Sequence, residues 1–390
     1  MNDRFRASGR PATLCLLLAL GAVPPVRSEN YPEAKAPAPQ YQHDDILVPA
    51  FAPDEPVRAK WSAEAADEFL HRGAVAWTRA KGCVSCHTTG TYLVTRPALS
   101  TALGRPREEV RSLFVEQLRE RQRTPREQFA RGTRSGQVVY IAAGLAEWDR
   151  YVAGSPSPET AEALELMFSI QLESGAWSNP GCWPPFESDS FHLATQAAMA
   201  VAAAPAWAAT AGPQAREGIA KLRRYLRATP PPHDYSRVLL LWAASRMRDL
   251  LTVDERRRLA DLIWSRQQED GGWSIRSFAA PEEWGDGSRA GRLRAELNFG
   301  SPPSDGHQTG LAILVLREAG VSASDPRLQR GLRWLEQNQR ESGRWWTRSL
   351  NTDRWHFVAY SGTAYPLLAL ALCGRLEPAP GSVHKVALSP

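Results

Sequence analysis

The sequence predicts an all-α protein whose helical hairpins close into an α6/α6 toroid, a double ring of six outer and six inner helices. The first observation is a motif of the form Q-x-x-x-G-x-W, which occurs at Gln171–Trp177, Gln267–Trp273 and Gln339–Trp345. The second is that each copy separates an amphipathic helix from a helix rich in Ala and Leu on most of its faces. A chain of 390 residues with 43% hydrophobic residues is long enough to bury such a double layer.

Each copy of the motif follows a predicted outer helix, and its Gly stands where a helix C-terminus favours a left-handed residue. These outer helices are predicted at Glu159–Ile170, Val253–Arg266 and Pro326–Asn338. The apolar helices after them are predicted at Leu193–Ala204, Gln308–Ala319 and Phe357–Leu372. We expect the apolar helices to form the inner ring, because every face of an inner helix is covered.

Three weaker helix pairs complete the count of six. They are predicted at Ala63–Ala80 with Arg96–Leu103, at Arg107–Gln122 with Gln137–Val152, and at Pro213–Arg227 with Tyr235–Met247. The toroid is therefore expected to occupy residues 61–375.

The segments outside the toroid are predicted to have other roles. Arg4, Arg6 and Arg10 precede an apolar run at Leu14–Val23, so residues 1–28 are typical of a signal peptide. Residues 29–60 form a Pro- and Ala-rich extended lead-in, and residues 376–390 form a tail. The chain is expected to be periplasmic or otherwise exported, without a transmembrane anchor in its mature form.

The charge pattern argues against nucleic acid as a partner. The formal net charge is +5, but Lys and Arg alternate with Asp and Glu instead of forming a basic patch. This pattern is typical of a solvated surface.

The Cys-x-x-Cys-His motif is the strongest chemical signal. Cys83, Cys86 and His87 have the spacing of c-type haem attachment, in which the two thiols bind the vinyl groups and the His is the proximal iron ligand. The alternatives are a zinc site on the same three residues, a Cys83–Cys86 disulfide, or coincidence. One covalent haem is the leading cofactor prediction, and zinc is the alternative.

Alignment of the first hairpin with the others places Cys86–Tyr92 on Gln171–Trp177. The motif is therefore predicted to replace a Q-x-x-x-G-x-W turn. Because all such turns lead to the same ends of the inner helices, the haem is expected at one rim of the toroid.

Four histidines are predicted at this same rim, each with a nearby aspartate. The histidines are His192, His233, His307 and His356, and the aspartates are Asp189, Asp234, Asp305 and Asp353. One histidine is predicted to be the distal iron ligand or to act on a substrate at the haem, its tautomer held by an aspartate. His192 and His307 are favoured. The alternative is that these residues only cap the inner helices.

The repeated turns between outer and inner helices resemble those of squalene-hopene cyclases and related terpenoid cyclases, and more distantly those of protein prenyltransferase β subunits. The resemblance implies that each Gln bonds backbone groups at helix ends, that each Trp stacks on a neighbouring repeat, and that an apolar isoprenoid or lipid ligand occupies the cavity. Asp305–Thr309 resembles the prenyltransferase segment that supplies a zinc-binding His, but the matching Asp-x-Cys is absent. The Asp-x-Asp-Asp acid of hopene cyclases is also absent, which argues against polyene cyclisation.

Three functions follow from these patterns. The leading hypothesis is a periplasmic c-type haem protein on a terpenoid-cyclase-like toroid, with electron transfer to a periplasmic redox partner. The second is an isoprenoid- or lipid-modifying enzyme that uses the His/Asp rim with zinc or acid chemistry. The third is a haem-free ligand-binding module.

Overall fold

The computed structural model describes residues 39–376, except 180, 182, 187 and 353–355. Within these residues most of the chain is helical, and one two-stranded hairpin is formed by β1 (Tyr41–His43) and β2 (Ile46–Val48). The predicted signal peptide, the first part of the lead-in and nearly all of the tail lie outside the described residues. No described helix is long and apolar enough to span a membrane.

The helices form two concentric layers, and the predicted α6/α6 toroid is confirmed. The outer helices of the described chain are α1 (Ala63–Lys81), α4 (Glu108–Arg123), α6 (Pro158–Ser169), α9 (Pro213–Ala228), α11 (Val253–Ser265) and α14 (Pro326–Asn338). The inner ones are α2 (Thr91–Thr95), α5 (Thr133–Trp148), α7 (Ser190–Ala203), α10 (Asp234–Arg246), α13 (Gly306–Glu318) and α15 (Val358–Leu372). Short helices α3 (Ser100–Leu103), α8 (Pro205–Thr210) and α12 (Ala290–Arg294) lie in connections. Each inner helix contacts the next, and α15 contacts α2, so the inner ring is closed.

The two layers differ in burial as the sequence pattern predicts. On outer helix α14, the buried leucines Leu328, Leu332 and Leu335 form one stripe, and charged residues cover the other faces. On inner helix α13, every residue from Gly306 to Leu316 is buried. An amphipathic outer helix and an apolar inner helix are therefore the two complementary parts of each hairpin.

The three Q-x-x-x-G-x-W turns have one shared geometry. In the second copy, Gln267 donates from Nε2 to the carbonyls of Gly271 and Arg327, both at 2.8 Å. Trp273 donates from Nε1 to the carbonyl of Ile263, ten residues earlier, at 2.7 Å. The other two copies repeat both Trp and Gln bonds. Each turn thus ends its own outer helix and binds the following one.

The third turn closes the ring. Gln339 exchanges two hydrogen bonds with the backbone of Ser62, one from Nε2 to the carbonyl at 2.8 Å and one accepted from the amide at 2.6 Å. Gly343 has φ +90°, and a Cβ added to it would lie 2.1 Å from the carbonyl oxygen of Ala65. The last repeat therefore packs directly on the first outer helix.

The lead-in is more than an extended connection, because its second half packs on the last repeat. The buried guanidinium of Arg344 pairs with Glu55 at 2.9 Å and donates to the carbonyls of Pro49 and Ala50. Arg58 donates its amide to the carbonyl of Gln339 at 2.8 Å. These contacts join the segment before α1 to the ring closure.

The first repeat departs from the prediction. Its inner segment was expected at Arg96–Leu103, but it begins with a π-helical turn at Cys86–Gly90 and continues through α2. Gly90 has φ −64°, whereas the glycines of the three Q-x-x-x-G-x-W turns have φ between +90° and +95°. The predicted equivalence of Cys86–Tyr92 with such a turn is therefore wrong in geometry. The reason is that Gly82 already ends α1 in a left-handed conformation, so the chain enters the inner layer earlier.

Two contacts span the inner ring below its mouth, which is the rim at which the inner helices begin. Trp242 on α10 meets Tyr365 on α15 edge-on, with ring centroids 5.8 Å apart. At the C-terminal ends of the inner helices, Arg246 forms a bidentate pair with Glu318 and also bonds Glu147 on the far side of the ring.

We expect Gly343→Ala to destabilise the ring closure by about 1–3 kcal/mol beyond the cost of backbone strain, because the added methyl meets the Ala65 carbonyl. Gly320→Ala is the matched control, since Gly320 has φ +97° and no atom within 4 Å of an added Cβ. That control should cost about 1 kcal/mol from backbone strain alone. Chemical denaturation of both variants measures the difference, and equal losses would contradict the steric account.

The buried Arg246 cluster gives a second prediction. Burial raises the pKa of Glu147, and Oε2 of this carboxyl has no hydrogen-bond partner among the described residues. Its pKa in the folded state is above its value in the unfolded state, so its carboxylate lowers stability as pH rises above about 4.5. Glu147→Gln should therefore leave the melting temperature at pH 7 unchanged or raise it.

Glu318→Gln is the comparison for Glu147→Gln, because Glu318 supplies both oxygens of the bidentate pair. Breaking a buried pair of this kind costs about 3–5 kcal/mol. Thermal melts of the two variants at pH 5 and pH 7 provide the test. A lower melting temperature for Glu147→Gln than for Glu318→Gln would contradict the conclusion that Glu318, and not Glu147, is the stabilising partner of Arg246.

Candidate functional site

The Cys-x-x-Cys-His segment joins α1 to α2 and is held at both ends. Trp77 of α1 donates from Nε1 to the carbonyl of Cys83 at 3.0 Å. Ser85 caps the following turn by accepting from the amide of Thr88 at 3.3 Å. Cys86 and His87 therefore start the inner segment of the first repeat.

The two thiols of the motif are not joined to each other. Cys83 is half-buried, Cys86 is buried, and neither forms a disulfide in this structure. Which cofactor the two sulfurs hold stays a prediction from the spacing of the motif.

The imidazole of His87 lies between two aromatic rings. The Phe357 ring stacks on it with centroids 4.1 Å apart, and the Trp77 ring meets it edge-on at 4.8 Å. Although the residue keeps some exposed surface, desolvation of the ring lowers the pKa of His87 to about 3. His87 is thus neutral at physiological pH, as a metal-binding imidazole must be.

The imidazole of His87 has a hydrogen-bond partner beside the motif. Nδ1 of His87 is 2.7 Å from Oγ1 of Thr88, so donation from Nδ1 would direct the Nε2 lone pair away from this bond. Within the described part of the chain, no three His, Cys, Asp or Glu side chains are arranged to hold a metal ion. The cofactor of Cys83, Cys86 and His87, haem or zinc, stays a prediction from the sequence motif.

Two favoured histidines, His192 and His307, lie in buried Tyr–His pairs at the mouth of the ring. Nε2 of His192 is 3.2 Å from the hydroxyl of Tyr140, and Nε2 of His307 is 3.0 Å from the hydroxyl of Tyr235. The Phe186 ring presents its edge or face to both imidazoles, with centroids 6.5 and 6.2 Å away. Desolvation lowers the pKa of His192 to about 4 and that of His307 to about 3.

The pair at His307 extends to a serine. Oγ of Ser361 lies 2.7 Å from Nδ1 of His307 and itself donates to the carbonyl of Val358. The Ser361 oxygen therefore accepts from Nδ1, which leaves Nε2 to accept from Tyr235. The order Tyr235 to His307 to Ser361 is a directed hydrogen-bond chain.

The motif and the Tyr–His pairs contact each other through two links. A Cβ on Gly90 would lie 2.8 Å from the Tyr140 ring, so this ring packs directly on the turn that contains Cys86 and His87. Phe357, which stacks on His87, is four residues before Ser361 on the same helical turn. Tyr140 and the start of α15 thus connect the motif with the two Tyr–His pairs.

His233 and Asp189 form another polar pair at the mouth of the ring. Nε2 of His233 is 3.5 Å from Oδ2 of Asp189, while Nδ1 accepts from the amide of Ser236 at 3.1 Å. Desolvation alone would raise the pKa of Asp189, but the adjacent side chain of His233 and the backbone amide of His192 leave it lowered. Asp189 also caps α7 by accepting from the amide of His192. Both residues combine a capping role with a place at the mouth.

The other predicted rim residues lie elsewhere. Asp234 pairs with Arg237 at 2.6 Å and Arg266 at 2.7 Å, away from the histidine pairs. Asp353 lies outside the described residues. Asp305 and His356 line a lateral pocket of about 680 Å³. Burial raises the pKa of Asp305 to about 6, and backbone amides of Gln308 and Ile275 bond its carboxylate.

Sequence reasoning missed Tyr140, Tyr235 and Ser361 as partners of the histidines. The available signal was weak: each is a hydroxyl-bearing residue on an otherwise apolar inner helix. Only the ring geometry shows which hydroxyl faces which imidazole.

Comparison with known proteins agrees with this architecture. Residues 235–374, from α10 to the end of α15, match the family model of the squalene-hopene cyclase C-terminal domain. A search of curated proteins finds no match. The fold and this match support a terpenoid-cyclase-like α/α toroid.

Solved structures with similar folds come from other enzymes. An unsaturated glucuronyl hydrolase specific for heparin aligns with TM-score 0.50 and 10% identity, over 80% of this chain and 96% of that chain. A glycosidase variant in complex with glucose gives TM-score 0.48 and 12% identity, over 81% and 98%. A polysaccharide lyase gives TM-score 0.46 and 11% identity, over 80% and 97%. At these identities the likeness concerns the fold alone.

The buried pairs give a prediction for pH. His307 has a folded pKa of about 3 and an unfolded value near 6.5, so the unfolded state binds the extra proton between these values. His307 therefore lowers stability as pH falls from about 6.5 to 4, by up to about 1.4 kcal/mol per pH unit. His307→Gln should reduce this slope by close to one proton.

Tyr235→Phe is the control, since it removes the hydroxyl bonded to His307 but leaves the imidazole able to titrate. We expect it to lower the free energy of unfolding at every pH without changing the slope. Urea denaturation between pH 7 and 4.5 measures both effects. The same slope in His307→Gln and in the unsubstituted protein would disprove a buried neutral His307.

Proposed function

We propose that this protein is an exported c-type haem protein, in which Cys83 and Cys86 attach one haem and His87 binds its iron at the mouth of the toroid. The main support is that Cys83 and Cys86 precede His87 with the spacing of c-type haem attachment and that the His87 imidazole is neutral at physiological pH. The group would supply one-electron transfer, and a periplasmic redox partner would exchange the electron.

The surroundings of the motif support a role beyond attachment. The Phe357 and Trp77 rings limit rotation of the His87 imidazole, and Thr88 offers a partner for Nδ1. A fixed imidazole orientation and a hydrogen bond to the opposite ring nitrogen are the features that set the basicity of an axial His. Of the two favoured histidines, His192 and His307, we choose His192 as the candidate distal ligand, because its partner Tyr140 packs on the motif turn.

The test is expression in a periplasm with and without haem-maturation machinery, followed by a haem stain of the denatured protein and a visible spectrum. The proposal expects covalent haem only with maturation. Cys83→Ala and Cys86→Ala should each weaken or abolish the stain, and the double substitution should abolish it. Cys373→Ala, which changes a free thiol outside the motif, should leave it intact. Folded, colourless protein from the maturing strain would overturn the proposal.

The axial ligand needs a separate variant. His87→Ala should retain haem on the two thiols but change the low-spin spectrum, because only the iron ligand is lost. A His192→Ala spectrum then tests the distal assignment. An unchanged spectrum in His192→Ala would remove His192 from that role.

A second candidate is an isoprenoid- or lipid-modifying enzyme that uses the Tyr–His pairs at the mouth of the ring. The observation that favours it is the chain Tyr235 to His307 to Ser361, which places a neutral base among aromatic rings within the segment that matches the cyclase domain. The ring contact between Trp242 and Tyr365 would restrict the ligand to a headgroup or a short chain end. Saturable binding of farnesol by colourless protein, lost in His307→Gln, would favour this candidate over haem.

A further inference from the structure

The lateral pocket lies outside the haem motif and the Tyr–His pairs. It is enclosed by the turns of the fifth and sixth repeats, the loop at 296–305 and Phe51 of the lead-in. Its volume of about 680 Å³ is within the ~300–1,000 Å³ range of small-ligand sites. None of the residues that attach haem or form the Tyr–His pairs lines it. The pocket is therefore a separate site.

One side of the pocket is aromatic. Trp346 is half-buried and packs on Phe51 with ring centroids 4.5 Å apart, and His356 lies against both rings. The indole of Trp334 is held by a bond from Nε1 to Oδ2 of Asp270 at 3.0 Å. These fixed rings offer flat apolar surfaces to a ligand.

The pocket is also lined by planar polar groups of both charges. Three arginines and three carboxylates line the pocket: Arg276, Arg340, Arg348, Asp270, Glu296 and Asp305. Glu296 is fixed by a bidentate bond from Arg276 at 2.8 and 2.9 Å. The formal charges balance, so the pocket does not select a strongly charged ligand of either sign.

One buried hydroxyl of the wall lacks a partner. Ser274 is 1% exposed, and its Oγ has no hydrogen bond to any group within the described ranges of the chain. A buried hydroxyl without a partner costs about 1–3 kcal/mol, which a polar ligand or an ordered water recovers. This observation indicates a hydrogen-bonding occupant.

We propose that the lateral pocket binds a neutral saccharide. The apolar face of a pyranose ring packs on a flat indole such as Trp346, and its hydroxyls match the fixed donors and acceptors that line the same pocket. A wholly apolar ligand would displace water from the arginines and carboxylates without replacing the lost hydrogen bonds, and this desolvation is costly. An inorganic anion would face three carboxylates. The proposal does not depend on haem at Cys83 and Cys86.

The experiment titrates the full mature chain with maltotriose and cellotriose, with inorganic phosphate and farnesol as comparison probes. Isothermal calorimetry measures the affinity. Because Trp334 and Trp346 line the pocket, intrinsic fluorescence should change on binding. We expect at least one neutral trisaccharide to bind and Trp346→Ala to weaken it at least tenfold.

Trp183→Ala is the matched control, since Trp183 is 48% exposed and lies outside the pocket. It should leave the affinity unchanged. Arg348→Ala is the second pocket variant, and we expect it to lower the trisaccharide affinity at least threefold. It replaces Trp346→Ala in the test if that variant does not fold. No binding of either trisaccharide up to about 10 mM, equal affinity in the folded pocket variants, or competition by phosphate or farnesol would each overturn the proposal.

Discussion

The structure depends on the hydrogen bonds and close contacts that join the third Q-x-x-x-G-x-W turn to the first outer helix. Helical hairpins stacked in a row would leave the first and last units with an uncovered apolar face. Gln339 bonds both backbone groups of Ser62, and Gly343 allows the third turn to contact α1 at Ala65. Closure turns six weak hairpins into one core, and it holds the start of α1, and so the motif after it, in a fixed place.

Ring closure also explains why the chemistry gathers at one end. The inner helices begin where the turns deliver them, so their first residues converge at the mouth, while their last residues meet in the Arg246 cluster. Trp242 and Tyr365 separate the two ends. Polar groups at the mouth are therefore buried among aromatic rings, and this burial keeps the imidazoles of His192 and His307 neutral.

Much of the fold was predictable, because repeated local patterns carry it. The helix pairs of the last four repeats follow from amphipathic periodicity and from the turn motif, and their observed bounds differ from the predicted ones by only a few residues. The first repeat was harder, because Gly82 ends α1 without the motif and the inner segment is divided into short helical pieces. The packing of the lead-in was not visible, since the Glu55–Arg344 pair joins residues almost 300 positions apart.

The site was predictable in its location but not in its pairing. The sequence pattern predicted His192, His233, His307 and His356 at one rim. Only the structure shows that His192 and His307 form Tyr–His pairs while His356 lines the lateral pocket. Asp234 shows the limit of sequence patterns, because its helix-start position resembles that of Asp189 while two arginines hold it elsewhere. The hydroxyl partners of the imidazoles come from other helices and have no sequence spacing that could reveal them.

The most direct test of the central claim is a crystal structure of protein purified from a haem-maturing periplasm, with anomalous diffraction recorded at the iron edge. The account expects one iron peak at ligand distance from Nε2 of His87, with thioether bonds to Cys83 and Cys86 and the ring of Tyr140 nearby. No iron peak in the folded toroid, or a peak bound away from His87, would contradict it.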